Sequence, residues 1–219
     1  RLGNGVHVRN TKTGVTRVLE SQDAFYRRLQ WADSGLALSA LRGVVDSAAK
    51  DTSYVALGFT GVGAATVGRV VISSQTVDSA VPGLRVSADR APIWARNLSQ
   101  LYFGVVAAPV RSAPRPDVKP VAGTPGAMQR PSVTGGIEED SVPSLVIWHA
   151  KDSRLQARQQ VQENADKAAN FLALYRVADR RIIQLGSDSL AEVTVAPGDR
   201  WAIGTARRAY ERADELTGP

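Results

Sequence analysis

The 219-residue chain has no cysteine, one methionine and two histidines, and only 6% of its residues are aromatic. Zero cysteines exclude disulfide staples, thiolate zinc sites, iron–sulfur clusters and cysteine nucleophiles together. The compartment stays open, because such a chain is at home in oxidising or reducing surroundings. No window approaches the roughly 18 to 20 uninterrupted apolar residues that a membrane-spanning helix needs, and Arg1-Leu2-Gly3-Asn4-Gly5 has no apolar signal core. The sole methionine is Met128, so the first residue is expected to be a cut through a longer chain or a processed end.

What the chain does have is a 43% hydrophobic share against 22% charged residues, the balance of a soluble protein able to bury a core. Its length allows one domain or two, and a single all-β domain can use all of it. With 27 Lys+Arg against 21 Asp+Glu the net charge is +6, and 22 of the cations are Arg. Such an excess points to nucleic acid only where the cations cluster. The tightest groups, Arg27-Arg28, Arg180-Arg181 and Arg207-Arg208, are pairs flanked by carboxylates or apolar residues. They read as solvated strand and turn positions, so neither a nucleic-acid nor a membrane partner is expected.

Alternating apolar positions dominate the chain. Val6 and Val8, then Val15, Val18 and Leu19, flank Asn10-Thr11-Lys12-Thr13-Gly14, a hairpin signature. Leu29 and Trp31 lead through the turn Ala32-Asp33-Ser34-Gly35 into Leu36 and Leu38. Further strands are predicted at Tyr54–Phe59, Arg69–Ser73, Leu84–Ser87, Pro92–Trp94 and Leu101–Val105, and later at Phe171–Tyr175, Ile182–Leu185, Ala191–Val195 and Trp201–Ile203. Short strands with turn signals every 8 to 12 residues favour an all-β sandwich, barrel or propeller.

From 107 to 143 the character changes: seven prolines, several glycines and the acidic end Glu138-Glu139-Asp140. Proline removes ladder donors, and this composition cannot bury enough apolar area to offset its ordering entropy. The segment is predicted to be a disordered Pro/Gly-rich insertion within one architecture. Asp152 or Ser153 can cap a surface helix over 153–170, which is rich in Gln, Ala, Arg and Glu and offers a thin apolar stripe including Leu155, Val161 and Ala165.

An internal repeat is visible. The block from Val6 to Leu38, read as hairpin, strand, polar turn and strand, can be laid on the block from Leu172 to Ile203. A looser third copy of the second half is Ile93-Trp94-Ala95-Arg96-Asn97-Leu98-Ser99 followed by Leu101-Tyr102-Phe103. A small antiparallel sheet cannot bury both faces alone, so such units stack side by side, and propeller blades are the usual outcome.

Four stretches carry a family resemblance: Trp31-Ala32-Asp33-Ser34-Gly35; Pro82-Gly83-Leu84-Arg85-Val86-Ser87 with Ala91-Pro92-Ile93-Trp94; Leu101-Tyr102-Phe103-Gly104-Val105; and Val146-Ile147-Trp148-His149-Ala150-Lys151-Asp152-Ser153-Arg154-Leu155-Gln156. At these residues the chain resembles the N-terminal β-propeller of bacterial, dipeptidyl-peptidase-like members of the prolyl oligopeptidase family of serine peptidases. The last stretch, similar to a Trp-His-x-Lys-Asp-x-x-Leu-Gln segment of that family, is the most specific. The resemblance implies a propeller that gates peptide access to a catalytic α/β-hydrolase domain of the same parent chain, normally C-terminal. Export would suit this kind of peptidase.

None of that family's catalytic machinery is found in these residues. There is no Gly-x-Ser-x-Gly elbow, and His7 and His149 both sit in strand patterns. Trp148, His149, Lys151 and Asp152 form a candidate polar cluster contacting peptide substrate or the hydrolase domain; the bland reading makes Trp148 core, His149 a satisfied strand end and Asp152 a helix cap. Gly61-Val62-Gly63 lacks the third glycine of a dinucleotide loop, Thr66 standing in its place, and leads into a strand. A metal site joining His149 to the 138–140 carboxylates would need the Pro-rich segment to fold back, so no metal and no cofactor is expected.

The expectation is therefore a single segment, 1–219, of one β-propeller domain: all-β, about three to four antiparallel blades, with one surface helix and the 107–143 insertion. The function that follows is the non-catalytic propeller portion of a serine peptidase. The alternative is a non-enzymatic propeller of the Tol-system type that binds a protein partner.

Overall fold

The strand pattern of the sequence becomes a series of antiparallel sheets joined by tight turns. The computed structural model describes residues 4–46, 51–109 and 156–206. In it β1 (Val6–Arg9) and β2 (Thr16–Glu20) form a hairpin. β3 (Phe25–Trp31), β4 (Ala37–Asp46), β5 (Asp51–Thr60) and β6 (Gly68–Ser73) follow as a four-stranded meander in which each strand pairs with the next. A helix, α1 (Ser74–Ala80), leads to two short strands, β7 (Leu84–Val86) and β8 (Ile93–Trp94), which pair end to end with one edge of β9 (Gln100–Ala107). The other edge of β9 takes β10 (Phe171–Arg176), which pairs with β11 (Arg181–Gln184), completing a second meander. β12 (Glu192–Val195) and β13 (Ala202–Thr205) form a last hairpin.

Both larger sheets, the first of four strands and the second of five with β7 and β8 included, are buried on two faces, and the core divides accordingly into three layers. Val6, Leu38, Ala40, Val55, Leu57 and Phe59 fill the space between the β1–β2 hairpin and the first meander. Leu41, Ile72, Val77, Trp94, Leu101 and Phe103 lie between the two meanders. Tyr102, Leu172 and Leu174 pack against Val193 and Val195 of the last hairpin. Alternation along single strands sends Leu38 and Ala40 to one layer and Ala37 and Leu41 to the next, because successive side chains leave opposite faces. All the described elements belong to one compact unit.

The described part is thus mostly β in antiparallel sheets, as the patterning predicts, but it holds two helices rather than one. α1 was not anticipated. Its seven residues are too few for a clear 3.6 period, and the signal that does exist is a cap: Ser73 Oγ accepts from Thr76 N at 3.1 Å. Val77 anchors it in the middle layer. α2 (Gln156–Lys167) falls inside the predicted 153–170, yet Val161, expected in its contact stripe, is 84% exposed. The 107–143 insertion lies outside the described residues beyond position 109, as does the predicted cap at Asp152 or Ser153.

Candidate functional site

One turn recurs three times. Between β3 and β4, Ala32 N donates to Ala37 O (2.9 Å) and Gly35 N to Ala32 O (2.8 Å); between β8 and β9, Ala95 N donates to Gln100 O and Leu98 N to Ala95 O (both 2.9 Å); between β12 and β13, Ala196 N donates to Trp201 O (2.8 Å) and Asp199 N to Ala196 O (3.1 Å). The fourth turn residue has positive φ each time: Gly35 at 67°, Leu98 at 58° and Asp199 at 59°. Leu and Asp adopt that region only at a cost, so its retention shows the turn geometry overriding residue preference. Two of the turns share a side-chain bond as well, Leu36 N to Ser34 Oγ (3.3 Å) and Ser99 N to Asn97 Oδ1 (3.0 Å).

The three turns touch one another in order. Arg96 Nε stands 3.9 Å from the Asp33 carboxylate, and Arg96 N donates to Asp199 Oδ2 at 3.0 Å. Tyr102 Oη lies 3.3 Å from Asp199 Oδ1 and 3.0 Å from Gln100 Oε1. Burial, and after it the negative charge and hydrogen bond of Asp199, push the Tyr102 phenol up to about 12. The Asp199 carboxylate thus ties the last turn to the middle one.

Beside the first turn opens a groove of about 700 Å³, lined by Val8, Trp31, Leu36 and Val62 and rimmed by Arg9, Lys12 and Arg17. Among the described residues no carboxylate lines it. Arg9 Nε donates to Gly14 O at 3.2 Å and an Arg17 guanidinium nitrogen to Ala64 O at 2.5 Å, so these cations also brace the hairpin ends. Trp31 at the groove is 49% exposed, whereas Trp94, which precedes the next turn at the same position, is 5% exposed and donates from Nε1 to Leu38 O at 3.1 Å.

A second polar cluster sits under the β1–β2 hairpin. The buried Glu20 carboxylate accepts from Arg42 with one oxygen and Arg69 with the other. Tyr26 Oη and Arg42 Nε are buried there too. Burial and then the Glu20 charge raise the Tyr26 phenol above its usual value. The sequence carried one part of this signal: Arg42 sits inside the mostly apolar strand β4, and a charge buried there needs a partner, though not which one.

The predicted contact residues Trp148, His149, Lys151 and Asp152 lie outside the described residues. His7 is exposed on β1, opposite Val18. Among the described residues no cluster of three His, Asp or Glu could hold a metal ion. Gly61, at φ 63°, turns the chain from β5 toward β6, so a strand follows the glycine-rich stretch, as expected. No family model, curated protein or solved structure matches this chain.

Proposed function

We propose that the chain is the propeller portion of a prolyl oligopeptidase-like serine peptidase, with no catalytic residue of its own, gating peptide access to a hydrolase domain of the parent protein. The observation that carries the propeller part is the threefold turn. Three hydrogen-bonded copies of one motif, contacting each other in sequence order on successive stacked sheets, are what radial repetition of a four-stranded unit produces. Independent sandwiches have no reason to place equivalent turns side by side.

The peptidase part rests on the resemblance over Val146–Gln156. Propeller walls exclude folded chains by size and leave chemistry to the domain they cover, which fits a segment without a nucleophile elbow. The test is labelling of the full-length parent product with a fluorophosphonate, followed by mapping of the modified serine. Labelling outside residues 1–219, abolished by substitution of the mapped serine, is the expected result. A parent product that neither labels nor cleaves short peptides, yet captures a protein partner, would replace this reading with the Tol-type one.

A further inference from the structure

We propose that the first strands of the two meanders together form a carboxylate site, in which Arg28 and Arg90 hold the free C-terminal carboxylate of a short peptide and Leu29 and Ile93 take its last, apolar side chain. The choice of a peptide rests on the peptidase reading; the cations and the loop that places them do not. Three observations carry it.

The first is that both strands break at the same place. Counted back from the recurrent turn, Trp31 faces Leu38 and Gln30 faces Ser39 in one sheet, while Trp94 faces Leu101 and Ile93 faces Tyr102 in the other. The next position on the partner strand is Ala40 in one and Phe103 in the other, and there both ladders are interrupted. Two residues, Arg28 and Leu29, stand opposite Ala40 before Arg27 pairs with Leu41. Residues 88–92 stand opposite Phe103 before Ser87 N donates to Gly104 O at 2.8 Å. Extra residues bend a strand and re-aim its side chains, and such bulges gather beside functional sites. Arg28 is held at φ 53°, a region that a long side chain occupies only where its surroundings impose it.

The second is that the two breaks are built against each other. The 88–92 loop is pinned to the first sheet at both ends: Arg28 Nε donates to Ala88 O at 2.8 Å, and the buried Ser39 Oγ donates to Pro92 O. Between these ties lie Asp89 and Arg90. The stem of Arg90 runs over Gly104, where a Cβ would lie 2.7 Å from Arg90 Cβ and 2.9 Å from Asn170 Oδ1. In the propeller reading the first strand of each sheet borders the central channel, so both breaks open onto the path that a peptide would take.

The third is a cation without its counter-charge. Arg90 is partly buried, its Nε donates at 2.6 Å to a neutral amide, Asn170 Oδ1, and among the described residues no carboxylate pairs with it. Burial pushes its guanidinium below the usual value. A desolvated charge held without an opposite charge is costly, and an entering anion relieves that cost. Arg28 has one carboxylate near it, Asp89 Oδ1 at 3.7 Å, beyond hydrogen-bond distance, with both side chains 36% exposed. Such a pair is weak, and the Arg28 guanidinium can turn to a better-placed carboxylate. Leu29 and Ile93, next to the two breaks, are 52% and 48% exposed. A short peptide carries an α-carboxylate whatever its sequence, and the guanidinium fork matches that group with paired hydrogen bonds.

The test is fluorescence anisotropy of a tetrapeptide, three alanines and a C-terminal leucine with a dye on its N-terminus, titrated with the 219-residue chain. The free acid is expected to bind roughly tenfold or more tightly than the C-terminal amide, the difference that one charge-assisted contact makes. Arg28→Gln and Arg90→Gln should each remove about that much from the acid and nothing from the amide. Asp89→Asn takes away the competing carboxylate and should tighten binding of the acid, an effect of opposite sign that a folding defect cannot imitate. Equal affinity for acid and amide, no binding of either, or weaker binding by Asp89→Asn overturns the proposal. So does an amidated peptide ending in glutamate that matches the free acid, because a side-chain carboxylate would then be the ligand. Fluorophosphonate labelling of the parent without an acid–amide difference removes the site and leaves the peptidase reading standing; acid-selective binding by a chain whose parent does not label keeps the site and removes the peptidase.

Discussion

Glu20 shows how a single buried charge is held in this protein. Its carboxylate is almost fully enclosed and answers two guanidiniums, Arg42 nearly as buried and Arg69 half-exposed. Removing one member of such a set leaves a desolvated charge without a counterion. Glu20→Gln is expected to lower unfolding free energy by about 3 kcal/mol, the low end for broken buried pairs because Arg69 can turn to water; a shift in the urea midpoint at constant slope is the readout. Tyr102 makes the complementary case for a neutral group. Its folded value near 12 lies above the ordinary 10.0, so its contribution is complete below pH 10 and is lost as pH rises through 12. Tyr102→Phe should cost about 1 kcal/mol at neutral pH from the lost hydrogen bonds, and it should flatten the alkaline fall in stability. Urea midpoints of both proteins on either side of pH 10 test this: an equally steep fall in the variant would remove Tyr102 from the account.

At the scale of the element, close approach between sheets depends on missing side chains. A Cβ on Gly58 would lie 2.5 Å from Trp94 Cζ2 and 3.2 Å from Leu101 Cδ2, both in the tightly packed middle layer. Gly58→Ala is expected to destabilise by roughly 1 to 3 kcal/mol through overpacking, with Trp94 emission shifted as its ring is displaced; an unchanged midpoint would mean that the two meanders are looser than their core implies. Gly58 was legible only as a residue inside a strand pattern, since nothing in one strand announces which neighbour will press on it. The strands were legible because burial of a sheet face imposes alternation locally, as at Val6 and Val8. The repeat was legible for the same reason, through Trp31, Trp94 and the small-polar residues after them. What could not be read were the partners that only stacking creates: Asp199 with Arg96 and Tyr102, Glu20 with Arg42 and Arg69, and the groove at Trp31. Each joins residues separated by many positions, and no local period encodes such distances. α1 escaped for a different reason, its single cap and single buried residue falling below any periodic signal.

At the scale of the molecule, stability is set by position in the stack. A sheet that touches only its neighbours gains protection from the layers on both sides. The two meanders have two such layers each, and their inner strands β4, β5, β9 and β10 are the most enclosed. The end hairpins have one layer, and Trp201, just before β13, and Ile203 within it stand exposed to solvent. Opening should therefore proceed from the ends, because local unfolding follows low contact density and exposed backbone. Amide hydrogen exchange is expected to find the slowest protons in β5 and β9, intermediate ones in β3 and β11, and the fastest in β12 and β13. Uniform protection across all strands would require a single cooperative unit, and neighbour-only stacking would then not describe what holds these sheets together.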